Sequence, residues 1–144
     1  IVGLSKALKV ADDLRDETSS HCLGLRSEII QRVMREIPSV GLNGGIENRL
    51  PNNINFAFEG VEGEAILLGL DMAGIAASSG SACTAASLEP SHVLLALGQS
   101  DNLARSSLRL TVGPENTAEE IAYTVDTVAA LAAKLRRLAG SAKR

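Results

Sequence analysis

The chain has 144 residues, 45% of them hydrophobic and 22% charged, a balance typical of one globular domain with its own core. Aromatic residues make up only 2% and the formal net charge is −3, so the chain offers neither aromatic platforms for stacking bases nor a basic surface for phosphate backbones or anionic lipid. This composition argues against the common nucleic-acid-binding and membrane-binding domains, and we expect neither kind of partner.

The first part of the chain is predicted to form one long helix, with or without a bend, that ends at about Ile37. Apolar and small residues recur there at steps of three or four, which places them on one helical stripe. The stripe consists of Leu4, Leu8, Ala11, Leu14, Thr18, Cys22, Leu25, Ile29 and Val33. Pro38 ends the helix because a proline disfavours the helical conformation of the residue before it.

We expect no targeting signal in the N-terminal residues of this sequence. Ile1–Val10 has neither a basic start nor a cleavage site behind it, and no stretch of the chain approaches the ~18 consecutive apolar residues of a membrane span. We therefore expect a cytoplasmic protein. Because the chain opens with Ile rather than Met, we also expect a processed product or a part of something longer.

A loop, a strand and a second helix are predicted next. Residues 41–53 are rich in Gly and Asn and read as a loop. Hydrophobic residues alternate with Asn and Ala over 54–58, the period-two pattern of a half-buried strand. Residues 62–73 carry apolar side chains at helical spacing, and Gly74 ends that helix.

Residues 76–87 contain only Ala, Ser, Gly, Thr and one Cys. Ordering such a segment costs conformational entropy that its small side chains cannot offset by burial. We therefore expect it to be mobile, with Cys83 exposed to alkylating reagents and Cys22 protected.

The last third of the chain is predicted to contain a helix, a strand and a helix. Pro90 suits the first turn of a short helix that Gly98 ends. A strand over 108–112 places Arg109 on the face opposite its leucines. Thr117 and Glu120 form a capping box for the final helix. Together these elements predict an α+β, two-layer domain with helices packed on a small, mostly antiparallel sheet.

The two cysteines and two histidines differ in what they could do. Cys83 is a lone thiol in an open segment, with no Lys, Arg or His in that segment to lower its pKa, and composition alone favours an incidental cysteine in a flexible linker over a reactive thiol. Cys22 fits a small core residue. His21 and His92 lack paired ligand spacing, so we expect no metal site, and two cysteines do not resemble a disulfide framework, so we expect both reduced.

Four motifs carry a resemblance that changes this reading. They are the stretch from Ser78 to Leu94 (SSGSACTAASLEPSHVL), Arg49-Leu50-Pro51-Asn52, Glu62-Gly63-Glu64-Ala65 and Ser106-Ser107-Leu108-Arg109. In this order they resemble the C-terminal portion of the bacterial cysteine desulfurases that serve iron–sulfur cluster assembly. Those enzymes are class V aminotransferases with the fold type I of pyridoxal-phosphate enzymes, and the resemblance implies the small C-terminal domain of that fold.

The resemblance implies a role for two residues. Cys83 matches the catalytic cysteine that takes sulfur from L-cysteine as a persulfide, with release of L-alanine, before the sulfur passes to an iron–sulfur scaffold or another acceptor protein. Arg109 matches the arginine that binds the substrate carboxylate. The family holds pyridoxal phosphate in a large domain with no match here, so residues 1–144 are expected to form one small domain that binds no cofactor and is inactive alone. The full-length enzyme is expected to be a homodimer.

Two alternatives stay open. The chain could be a stand-alone sulfur carrier or protein-interaction domain that uses Cys83 as a relay, or part of a selenocysteine lyase, because the same cofactor chemistry removes selenium. A gene that continues upstream of Ile1 into a lysine-bearing domain favours an enzyme, whereas a gene that begins near Ile1 favours the carrier.

Overall fold

The structure is a computed structural model that describes residues 1–79 and 89–141. Within these ranges the chain forms one three-stranded antiparallel sheet and six helices. The predicted α+β class with a small antiparallel sheet is therefore confirmed.

The predicted N-terminal helix is present as two helices in direct succession. Helix α1 spans Val2–Asp13 and helix α2 spans Arg15–Glu36, with Leu14 between them at φ −98° and ψ −1°. The extended backbone of Ile37, which precedes Pro38, ends α2 as predicted. The stripe of small and apolar residues is buried only in α2, since α1 has no buried residue.

The sheet consists of strands β1 (Val40–Leu42), β2 (Asn53–Phe58) and β3 (Ser107–Thr111), in the order β1-β2-β3. Strand β2 confirms the period-two prediction, whereas β1 overlaps the segment predicted as a loop. That prediction was wrong for residues 41 and 42 because three residues are too few for periodicity to appear, and β1 is specified by its antiparallel pairing with β2.

Four further helices complete the fold: α3 (Gly63–Met72), α4 (His92–Ala96), α5 (Asp101–Arg105) and α6 (Ala118–Ser141). Gly74 and Gly98 follow α3 and α4 with φ of 76° and 86°, the left-handed conformation that glycine adopts without strain. The capping box of α6 is confirmed, because the amide of Thr117 donates to Glu120 Oε2 over 3.0 Å and the amide of Glu120 donates to Thr117 Oγ1 over 3.2 Å. Helix α5 was not predicted.

The core lies on one side of the sheet. Helices α2, α3 and α6 pack there against the fully buried side chains of Ile54, Phe56, Phe58 and Leu108. Because side chains alternate along a strand, the polar residues of β2 and β3 lie on the opposite face. In the ranges described above, no helix combines the length and apolarity needed to cross a membrane.

Candidate functional site

Arg109 lies in the middle of β3, on the face of the sheet turned away from the core. Its neighbours Leu108 and Leu110 are buried in the core, so the alternation of the strand directs Arg109 the other way. Its partner in the β2 register is Asn55, and both residues are half-buried. Side chains that are directly opposite in an antiparallel pair share one face and have Cβ atoms about 4.5–5.5 Å apart. Arg109 and Asn55 are therefore lateral neighbours.

A chain of side-chain amides leads from Asn55 to the loop after β1. The Nδ2 group of the buried Asn43 donates to Asn55 Oδ1 over 2.7 Å, and Gln99 Nε2 donates to Asn43 Oδ1 over 2.8 Å. A backbone bond from Asn43 N to Asn55 O, 2.9 Å long, holds the first two residues side by side. The three amides come from three separate parts of the chain, and each of these bonds restricts the next side chain.

Two arginines hold the loop that follows β1. The Arg49 guanidinium donates to the carbonyl oxygen of Asn43 and, over 3.0 Å, to that of Gly45. Buried Arg26 of α2 donates in turn to the carbonyl oxygens of Leu50, at 2.9 Å, and of Arg49, at 3.3 Å. Burial, together with the nearby Arg26 charge, lowers the pKa of Arg49. Asn43 therefore lies in a loop that two guanidinium groups hold, that of Arg49 within the loop and that of Arg26 on α2.

The segment that leads toward Cys83 pairs with β3 beside Arg109. Ser78 N donates to Arg109 O over 3.1 Å and Arg109 N donates to Ser78 O over 2.6 Å, forming an antiparallel bridge. Ser107 Oγ donates to Ser79 O over 2.9 Å. Ser78 and Ser79, the start of the segment 76–87 that we expect to be mobile, are thus anchored by hydrogen bonds of their backbone rather than by large side chains. Cys83 and the other residues of 80–88 lie outside the described residues.

A cavity of about 690 Å³ lies between the start of α3 and the C-terminal part of α6. Ser79 and Glu89, which flank the residues left undescribed, both line it. Its wall is tight at Gly63, where a Cβ atom would lie 2.5 Å from the carbonyl oxygen of Arg105. Glycine is therefore required at this point for α3 to approach the end of α5.

The surroundings of Cys22, His21 and His92 indicate structural rather than chemical roles. Cys22 is a free thiol, 2% exposed, with Sγ 3.8 Å from Val112 O, which confirms a core residue. His21 Nε2 lies 2.9 Å from Asn116 O, and His92 is exposed at the start of α4. Across the described ranges, no group of His, Cys, Asp and Glu side chains could hold a metal ion.

The lysines that the structure describes lie exposed on helices α1 and α6. A Schiff-base lysine must reach pyridoxal phosphate beside the bound substrate. Lys6 and Lys9 are exposed on α1, and Lys134 is exposed on α6, whereas Arg109 lies on the sheet face opposite α6. Lys134 and Arg109 therefore lie on opposite sides of the sheet, and Lys6 and Lys9 belong to a helix that has no buried residue.

Comparison with known proteins gives one consistent family. Residues 1–123 match the family model described as aminotransferase class-V. A Clostridium botulinum protein named "Cysteine desulfurase IscS" is 48% identical over 130 residues, which cover 89% of this chain and 33% of that protein. A Dictyoglomus turgidum protein of the same name is 46% identical over 138 residues, 96% of this chain and 35% of that protein.

A solved structure of a NifS-like protein from Rickettsia africae superposes with a TM-score of 0.74 at 26% identity, covering 90% of this chain and 32% of that one. Another, titled only as a NifS-like protein, gives a TM-score of 0.78 at 25% identity, covering 93% and 33% respectively. The chain thus spans about a third of the length of the relatives that it matches.

Proposed function

The chain belongs to the aminotransferase class-V family, and from that premise we propose that it is the substrate-binding and sulfur-accepting part of a pyridoxal-phosphate-dependent cysteine desulfurase. One observation carries the proposal. The bridge between Ser78 and Arg109 ties the segment that carries Cys83 to the strand that carries Arg109. Arg109, the proposed carboxylate-binding residue, and the segment that leads to Cys83 therefore meet at the same edge of the sheet.

Arg109 binds the carboxylate of L-cysteine. The planar guanidinium presents two parallel N–H donors, which match the two oxygens of a carboxylate in a way that an ammonium group cannot. Its half-buried position on the sheet favours this role, because a charge pair is stronger where water is partly excluded.

Cys83 accepts the sulfur. Its thiolate attacks the sulfur atom of the substrate, so that an S–S bond forms and the C–S bond of the substrate breaks. The electron pair of the broken bond stays on the carbon, which takes up one proton to become the methyl group of L-alanine, and the persulfide remains on Cys83. Pyridoxal phosphate, when bound by the rest of the enzyme, supplies the electron sink that cleavage of the C–S bond requires. This chain contributes the acceptor thiol and the group that orients the substrate.

The cofactor-binding part of the enzyme lies outside this chain and covers α1. Helix α1 has no buried residue, and its apolar side chains are open to solvent, with Val2 84%, Leu4 66% and Leu8 63% exposed. Isolated apolar residues at a surface are ordinary, but a whole apolar stripe marks an interaction site. Because the relatives are about three times as long, the additional chain is the natural occupant of that stripe. The chain alone is then inactive.

The further features of the proposal follow the family. The enzyme is a cytoplasmic homodimer that delivers its sulfur to an iron–sulfur scaffold or another acceptor protein. The desulfurase names of the relatives support the sulfur-transfer role, and the free thiol of Cys22 fits a reducing compartment such as the cytoplasm.

The direct test uses the full-length protein that contains this chain, loaded with pyridoxal phosphate and given L-cysteine. We expect L-alanine in solution and one added sulfur atom on Cys83 by peptide mass analysis. Cys83→Ser should abolish both, and Cys22→Ala, the matched control in the core, should preserve both.

Other outcomes select the alternatives. Equal or faster turnover of selenocysteine with no persulfide on Cys83 would identify a lyase for selenium. A Cys83 persulfide that forms on this chain only when a separate sulfur donor is added would identify a carrier domain. Sulfur on Cys22 alone contradicts the proposal.

A further inference from the structure

We propose that Asn55 is a positioning residue for the Arg109 guanidinium, and that the amides of Asn43 and Gln99 hold Asn55 in place. The inference rests on the proposed carboxylate-binding role of Arg109. On this face of the sheet, a chain of neutral amides would orient the Arg109 guanidinium toward the substrate.

The register makes Asn55 the lateral neighbour of Arg109. The two residues are opposite one another in the β2–β3 pair, on the same face and both half-buried. An arginine side chain has many rotamers, and each one that a fixed neighbour excludes lowers the entropy lost when a carboxylate binds. Asn55 can therefore raise affinity for the substrate by restricting Arg109 before the substrate arrives.

Asn55 can do this only if it is itself fixed. Its Oδ1 accepts from Asn43 Nδ2 over 2.7 Å, and Asn43 Oδ1 accepts from Gln99 Nε2 over 2.8 Å. Asn43 is 5% exposed, and its carbonyl oxygen accepts from the Arg49 guanidinium. The next residue of the amide chain after Asn55 is therefore buried and held by several hydrogen bonds, so Asn55 is held from the side remote from Arg109.

The neutrality of position 55 is the second part of the inference. A carboxylate opposite Arg109 would form a charge-assisted pair with it and would compete with the substrate for the same donors. An amide provides polar contact without cancelling the charge. The neighbouring positions on this face, which are Asn53 and Ala57 of β2 and Ser107 and Thr111 of β3, are also uncharged.

The test compares L-cysteine with L-cysteine methyl ester, which lacks the carboxylate charge, as substrates of the full-length holoenzyme. For L-cysteine, we expect Asn55→Ala, which frees the rotamers of Arg109, to raise KM about tenfold with little change in kcat. Asn55→Asp, whose carboxylate competes with the substrate for the guanidinium donors, should raise KM about a hundredfold. The methyl ester should show neither effect. Gln99→Ala, at the far end of the amide chain, should give a smaller loss of the same kind.

Two controls separate positioning from general damage. Thr111→Ala, on the same face of β3 and exposed, should leave both substrates unchanged, and melting curves of all variants should match the wild type. In an Arg109→Lys background, Asn55→Ala should add little to the loss, because residues that act through one another are not additive.

The outcomes that overturn the inference differ from those that overturn the proposed function. If Arg109→Lys loses the preference for L-cysteine over the ester but the Asn55 variants keep it, only the role of Asn55 fails. Equal losses with both substrates, or additive losses in the double variant, also reject positioning. If the wild type shows no preference for the carboxylate and Arg109→Lys changes nothing, the carboxylate-binding role of Arg109 itself is wrong.

Discussion

The two faces of the sheet are formed by the same strands but are specified in different ways. On the core face, Phe56 and Leu108 are 0% exposed and pack among apolar side chains, where burial needs shape but no particular partner. On the other face, Asn55 accepts a hydrogen bond from Asn43 Nδ2 over 2.7 Å and lies directly opposite Arg109 in the strand register. Substitutions on the first face should therefore change stability, and substitutions on the second should change substrate binding.

The largest effect is expected on the core face. Phe56→Ala should lower the free energy of unfolding by about 3–5 kcal/mol, because it removes a fully buried ring and leaves a cavity. Denaturant-induced unfolding measures it, with the half-buried Asn53→Ala on the opposite face as a control expected within about 0.5 kcal/mol of wild type. If Phe56→Ala does not fold, Phe56→Leu should still show a loss of about 1 kcal/mol. Equal losses for Phe56→Leu and Asn53→Ala would contradict the distinction between the faces.

The core face was largely predictable from the sequence, whereas the polar face was not. Alternation along 54–58 identifies Phe56 as buried because periodicity reports which residues share a face. It does not report which residues meet across the fold, so the bond from Gln99 to Asn43, which joins residues 56 positions apart, left no local signal. Arg109 was identified only through its resemblance to a family motif, and from its neighbours alone it reads as a surface arginine.

The same limit explains the missed elements. Helix α5 has five residues, too few for helical periodicity to be detected, although Ser100 caps it by accepting from Leu103 N over 3.4 Å. The buried Arg26 lies on the apolar stripe of α2, where a charged residue is not expected, and only its contacts with the loop explain it. A charged residue within an otherwise apolar helical stripe is the signal that could have identified it.

The second prediction concerns the polar face. Arg109→Lys should weaken binding of L-cysteine to the full-length enzyme by about 1.5–3 kcal/mol, because a lysine cannot replace the bidentate contact with the carboxylate. Its melting temperature should stay close to that of the wild type. Steady-state kinetics and a melting curve on the same preparation decide the matter. Unchanged kinetics with a large loss of stability would mean that Arg109, like the residues of the core face, serves stability and not substrate binding.

The third prediction concerns the packing of α3, which contacts both α6 and the start of β3. Gly63→Ala should destabilise the protein by about 1–3 kcal/mol, because its Cβ would lie 2.5 Å from the backbone oxygen of Arg105, which cannot move alone. Gly69→Ala is the matched control. Its Cβ would meet the end of the Leu131 side chain at 2.6 Å, and that side chain can shift. Thermal unfolding should therefore rank Gly63→Ala as the more destabilised, and the reverse order would contradict this account.

The smallest change in stability is expected at the surface, in the ion pairs that Arg32 of α2 forms with Glu36 of the same helix and with Asp126 of α6. Arg32 donates to Glu36 over 3.0 Å and to Asp126 over 2.6 Å. The bond from Arg32 to Glu36, together with one from Arg35, lowers the pKa of Glu36 from 4.5 to about 2. A carboxyl group whose pKa is lower in the folded state stabilises the fold above its unfolded pKa. The contribution of Glu36 should therefore be present above about pH 4.5 and be lost as the pH falls toward 2.

Glu36→Gln tests this sign directly. The wild type should melt at a higher temperature than the variant at pH 6, and this difference should shrink steadily as the pH falls from 4.5 toward 2, where the Glu36 carboxyl group becomes neutral like the Gln amide. The effect should also decrease in high salt, because the pair lies at the surface. Glu28→Gln, on the same helix, provides the comparison for general charge effects, because Arg32 forms its salt bridges with Glu36 and Asp126. A difference in melting temperature that grows on acidification would show that the fold stabilises Glu36 as the neutral acid. That result would contradict a pKa lowered by Arg32.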